Sequence, residues 1–151
     1  MNKAQVGKRG EQIAARFLKK HGYEILEKNL HISHQEIDII AVNHTHIAFV
    51  EVKTRVKDPN DADYLSTPAA AVTYEKQQHL LHSAKRYLSE HSYNDLQPRM
   101  DVIEVYLAPD TMIRPIECIW ERISSTFFIP QRKALHINHI ENAFGLYGYR
   151  P

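Results

Sequence analysis

The chain has 151 residues, a net charge of +1 at neutral pH and 43% hydrophobic residues, enough for one domain that buries roughly 70% of its unfolded surface. No apolar run of about 18 residues occurs, which excludes a membrane-spanning helix, and Cys118 is the only cysteine, which excludes an intramolecular disulfide. The near-zero charge neither supports nor refutes a nucleic-acid binder, because a basic patch can sit on a neutral chain. The segment MNKAQVGKRGEQ lacks the apolar stretch of a secretory signal, so a cytoplasmic location is expected.

From the N-terminus, Val6, Gly10, Ile13, Ala14, Phe17 and Leu18 recur at helical spacing and predict a helix over Ala4 to His21, stopped by Gly22. Tyr23 to Ile32 reads as a strand. Glu36 to Val42 and Ile47 to Arg55 are clearer strands, apolar and β-branched. Val56 to Pro68, with two prolines and three aspartates, is a long loop and a candidate substrate-clasping lid. Thr73 caps a second helix that runs to about His91, with Leu80, Ala84, Tyr87 and Leu88 inward. Met100 to Leu107 and Met112 to Trp120 complete the strands. ALHINHIENAF reads equally as a short helix or a docked tail. The expected fold is α/β, a mixed sheet of about five strands flanked by helices in the order α-β-β-β-α-β-β. Residues 1–122 would form the domain, with 123–151 a C-terminal tail packed on it or extending from it.

EIDIIAV and IAFVEVKTR carry the sharpest signal. Side chains alternate along a strand, so Glu36, Asp38 and Ile40 share one face and Phe49, Glu51 and Lys53 share another. If Val42 pairs with Ile47, Asp38 falls opposite Glu51 and Glu36 opposite Lys53. Like charges so placed destabilise a sheet, and burial raises one pKa unless a cation intervenes. Lys53 is one candidate cation and a bound metal is the other. Two carboxylates beside a lysine are what metal-assisted hydrolysis needs: acids for a hard ion, a cation for developing charge. A structural salt bridge on a solvated face is the competing reading, and the apolar flanks of a central strand weigh against it.

GKRGEQIAARFLKKHGYEIL, QEIDIIAV, FVEVKTR, AVTYEK and RMDVIEV, over Gly7 to Val105, resemble the YraN-like family (uncharacterised protein family 0102). That family belongs to the PD-(D/E)xK nuclease superfamily and is related to archaeal Holliday-junction resolvases. The resemblance implies a restriction-endonuclease-like core and a magnesium- or manganese-dependent endonuclease acting on DNA, branched DNA included. It implies that Asp38 and Glu51 bind the metal with the Val52 carbonyl, that Glu11 completes the shell, and that Lys53 is the catalytic lysine. Lys76 matches a basic position at the start of the second helix. Gln35 departs from the glycine usual before EID.

Glu11 alone would read as a surface residue near Lys8 or Lys19. Lys76, against the helix dipole, suits a phosphate or a snorkelling stem. Arg55 and Lys57 follow the acidic hairpin and would meet nucleic acid. Tyr64, Tyr74 and Tyr87 are stacking candidates, although core tyrosines are commoner. Arg99 and Asp101 are expected to pair as structural residues. The pairs His31/His34, His44/His46 and His79/His82 make no zinc signature. The alternatives are a nucleic-acid-binding protein of nuclease fold with weak or lost activity, and a scaffold without nucleic acid. Nucleic acid is the expected partner, no membrane is, and symmetric cutting of two strands would call for a homodimer.

Overall fold

A computed structural model describes residues 2–32, 35–56, 72–93, 95–109 and 134–145. Helix α1 spans Lys3–Lys20, β1 Glu24–Ile32, β2 Gln35–Val42, β3 His46–Val56, α2 Tyr74–Glu90, β4 Gln97–Leu107 and β5 Ala134–Phe144. Each expected element up to β4 appears within a few residues of its expected bounds. The expected strand Met112 to Trp120 and the expected loop beyond Val56, with Lys57 and Tyr64, lie outside the described residues. ALHINHIENAF is not a helix: it docks on the sheet as its fifth strand, β5.

The sheet runs in chain order, β1-β2-β3-β4-β5. Every neighbouring pair is antiparallel except β3 and β4, which are parallel because α2 carries the chain back across the sheet. Local chemistry fixes the ends. Asn2 and Gln5 form a reciprocal capping box at α1, and Gly22 leaves that helix at φ +84°. Thr73 caps α2 by accepting from the Lys76 N–H at 3.3 Å. Asn43 closes the β2–β3 turn: its side-chain oxygen accepts from the N–H groups of Thr45 and His46 at 3.0 and 2.8 Å.

Two cores form, one on each face. Ile13, Ala14 and Leu18 of α1 pack on Ala48, Val50, Ile103 and Val105. Leu80, Ala84 and Tyr87 of α2 pack on Ile47, Phe49, Met100 and Val102. Alternation along β3 therefore sends its even positions toward α1 and its odd positions toward α2. Gly10 lets α1 close on the sheet: a Cβ built there would overlap the Thr54 side chain.

Among the described residues, no helix is long and apolar enough to cross a membrane.

Candidate metal centre

β2 and β3 pair with Val42 opposite Ile47, and the pairing runs as far as Ile39 with Val50. This is the expected register, but the ladder ends one step short of Asp38 and Glu51. The Asp38 carboxylate takes over there: its Oδ2 accepts the Val52 N–H at 2.7 Å. In a strand, the N–H and C=O of one residue point to the same side. The Val52 carbonyl thus faces the gap that holds Asp38.

Glu51, on the α2 face of β3, is only 5% exposed. Its Oε1 takes Lys53 Nζ at 2.7 Å. Its Oε2 has Lys76 Nζ at 3.4 Å, an ion pair without hydrogen-bond alignment, so that oxygen is buried with no hydrogen-bond donor. Lys76 thus reaches the acidic hairpin from the first turn of α2. The sequence placed it beside the apolar face and could not name its partner.

Asp38 is pushed up to about 7, first by burial and then by the Glu51 charge, with a smaller push from Glu11. The Val52 N–H and Lys76 pull the other way without cancelling these effects. Glu11 therefore acts on Asp38 from α1. Its Oε2 accepts from Asn29 Nδ2 at 2.9 Å, so its partner is Asn29 of β1 rather than Lys8 or Lys19. Asn29 adopts φ 49°, the left-handed conformation that asparagine tolerates better than most residues.

Three of the expected residues, Asp38, Glu51 and Lys53, meet around the end of the β2–β3 ladder, with Lys76 and Glu11 joining from the two helices. Arg55 is half-buried on β3, two residues beyond Lys53, and its Nε is buried without an acceptor. Gln35, where the resembled family usually has glycine, opens β2 opposite Ile32 in ordinary strand pairing. Tyr87 is core, 4% exposed, and Tyr74 is open to solvent.

Sequence reasoning missed Glu104. It pairs with Lys53 across the parallel ladder and is 2% exposed. Its Oε2 accepts from Asn138 Nδ2 at 3.1 Å and from the Tyr106 hydroxyl at 3.3 Å, while Oε1 is buried without a donor. Only the parallel β3–β4 pairing reveals it, and no local motif marks it.

The donor set fits a hard cation. Asp38, Glu51 and the Val52 carbonyl offer oxygen only, burial and neighbouring negative charge raise Asp38, and one Glu51 oxygen lacks a hydrogen bond. Among the described residues no group of three or more His, Cys, Asp or Glu side chains is placed to hold an ion. Magnesium does not require one, because it keeps several waters and takes one or two carboxylates.

A model of the Uncharacterised protein family UPF0102 matches residues 10–105. The chain is 44% identical over 112 residues to a UPF0102 protein of Caldanaerobacter subterraneus subsp. tengcongensis, covering 74% of this chain and 88% of the relative. It is 41% identical over 107 residues to a UPF0102 protein of Caldicellulosiruptor saccharolyticus, covering 71% and 86%. A UPF0102 protein of Alkaliphilus oremlandii is 37% identical over 146 residues, covering 95% of this chain and 100% of the relative.

Proposed function

We propose that this chain, which belongs to the uncharacterised protein family UPF0102, is a metal-dependent nuclease that hydrolyses phosphodiester bonds in DNA. One observation carries the reading: Asp38 and Glu51 converge where the ladder ends, and burial together with the Glu51 charge lifts Asp38 to about 7. Carboxylates forced together in a buried place need a cation.

Asp38, Glu51 and the Val52 carbonyl would hold magnesium or manganese, with Glu11 in support through its charge. Such an ion, when bound, neutralises phosphate charge and acidifies water. The protein's own groups do the rest. Glu51 positions Lys53 through the 2.7 Å contact, so the ammonium stands ready to donate to the attacking water or to a non-bridging phosphate oxygen. Lys76 balances the charge of Glu51. Asn29 holds Glu11 in one orientation. Arg55 follows on β3, where a guanidinium meets a phosphate flanking the scissile one. Kinship with the resolvases suggests branched DNA, and symmetric cleavage would then require a dimer.

Calorimetric titration of manganese or magnesium into wild type and Asp38→Asn, paired with cleavage of plasmid and four-way-junction DNA, tests the reading. Wild type should bind the ion and cut, and the variant should do neither. Cutting by Asp38→Asn at the wild-type rate would sink it. The pairing of both Lys53 and Lys76 with Glu51 favours one second reading, a nucleic-acid-binding protein without cleavage. DNA binding that ignores magnesium, with no cutting of any DNA, would select it.

A further inference from the structure

Helix α1 segregates its charge. Six basic residues and one acid give it a net charge of +5, in a chain whose total is +1. At 3.6 residues per turn, Glu11 falls at the edge that faces the sheet, next to buried Ala14, Ala15 and Leu18. Lys8, Arg9, Arg16, Lys19 and Lys20 fall on the opposite half. Four of them are exposed and Arg9 is half-buried. Gln5 and Gln12 share that half, and no acid does.

A helix face built for stability alone interleaves acids at i+4. Helix α2 does so, with Arg86 Nε 3.0 Å from Glu90. Helix α1 places Lys20 four residues after Arg16, a like-charge pair that weakens a helix. None of the five cations makes an ion pair among the described residues. Lys19 and Lys20 complement the helix dipole at the C-terminal end, but Lys8, Arg9 and Arg16 gain nothing from it.

Arg9 adds a second, independent observation. Its Nε and Nη1 are shut from solvent and have no acceptor. Burial and the Arg16 charge both act against its ionised form. A guanidinium resting without acceptors is weakly tied to that position. Swung out from that position, its fork would donate two N–H groups to the oxygens of an external phosphate.

We infer that the outward face of α1 is a nucleic-acid backbone-binding surface, in which Arg9, Arg16 and Lys20 bind spaced phosphates of one strand. From Arg9 to Lys20 the face runs about 16 Å, roughly five steps along a nucleic-acid strand. This rests on the nuclease reading for its ligand class and assigns the substrate a path.

The test is fluorescence anisotropy of a short labelled duplex DNA against salt concentration, without divalent metal. Two variants are used: Arg9→Gln/Arg16→Gln/Lys20→Gln, and Arg16→Gln/Lys19→Gln/Lys20→Gln, which leaves half-buried Arg9 intact. Each should lower the slope of log affinity against log salt by about 2 to 3, near 0.9 per lost phosphate contact. Lys28→Gln/Lys85→Gln, which removes exposed cations elsewhere, should leave it unchanged. Wild-type affinity and slope in both triple variants would overturn the inference. So would α1-dependent binding to phosphatidylserine vesicles with none to DNA, which would assign the face to a lipid surface. Wild type that binds DNA through α1 but never cuts it would sink the nuclease reading and leave this surface standing. Cleavage of long DNA that the triple variants perform as well as wild type would do the reverse.

Discussion

Val52 donates its backbone N–H to Asp38 Oδ2 at 2.7 Å, at the point where the β2–β3 ladder gives way. A side chain here replaces a ladder bond, which ties Asp38 to the strand that carries Glu51 and Lys53. Asp38 is held at about 7 by burial and by Glu51, against an ordinary value of 3.8. The native state therefore binds this proton more tightly than the unfolded chain. Between about pH 4 and pH 7 this carboxyl lowers stability as pH rises, and the whole cost is present above that window. Asp38→Asn should stabilise the metal-free protein by roughly 2–4 kcal/mol near pH 8 and leave it little changed near pH 4. Melting temperatures across that range check this. Equal shifts at both ends would mean that charge is not the cause.

Lys53 and Lys76 share one buried carboxylate, and their losses should differ in kind. Either change to alanine leaves Glu51 under-compensated, and because both ammonium groups are partly exposed the cost should be about 1–2 kcal/mol. Lys53→Ala should also reduce cleavage by about 10²- to 10³-fold, as loss of one transition-state donor does. Lys76→Ala should act more weakly. Chemical denaturation alongside single-turnover cleavage separates the two effects, and equal rate losses would deny Lys53 its special place.

Much of this was legible in the sequence, and for a physical reason. Alternation has a period of two, so a single assumed pair, Val42 with Ile47, fixed which residues share a face. That placed Asp38, Glu51 and Lys53 together. It did not foresee that the ladder stops before Asp38, because splaying depends on the twist of the neighbouring strands. β5 was illegible because its pattern is broken: the β4–β5 register shifts at both ends, and Asn142 turns to φ 51°. Asn29 was hidden for a like reason, since β1 has its own irregularity between Ile25 and Glu27. Lys76 and Glu104 reach the site through tertiary placement, which no local spacing encodes.

The Gly10–Thr54 approach permits almost no Cβ, since the side chain of Thr54 occupies its place. Gly10→Ala should cost about 2–3 kcal/mol despite alanine's better helix propensity. It should also weaken metal binding, by moving Glu11 relative to Asp38. Thr54→Ala should recover part of the stability in a double-mutant cycle, because Thr54 Oγ1 and Cγ2 are two of the three obstructing atoms. Additive losses would show that the two residues do not touch.

Arg99 and Asp101 pair as expected, and the pair extends further than the sequence told. Arg99 Nη2 donates to Asp101 Oδ2 at 2.9 Å and to the Tyr23 hydroxyl at 2.6 Å. Its Nε lies 2.8 Å from Asp101 Oδ1 as an ion pair without hydrogen-bond alignment. From β5, His139 Nε2 lies 2.8 Å from Asp101 Oδ2, and the Asn142 N–H donates to Oδ1 at 2.9 Å. Burial alone would raise the Asp101 carboxyl, but His139, the Asn142 N–H and Arg99 together hold it below the ordinary range. Its contribution is present above the usual carboxylate range and lost as pH falls through the lowered value. Asp101→Ala strands Arg99 without its buried partner and should cost about 3–5 kcal/mol. Hydrogen exchange should then quicken first in 134–144. Uniform quickening across the sheet would mean that the network serves the whole fold rather than β5.

The matched family region ends at residue 105, whereas β5 begins at Ala134. Without β5, the outer rim of β4 would present its peptide groups to any passing chain, beside nine consecutive buried residues from Arg99 to Leu107. Such a rim is a template for sheet-to-sheet aggregation. Polar Asn138, His139 and Glu141 thus belong to the strand that covers this rim. A chain cut after residue 122 should precipitate while its metal-centre residues are all still present.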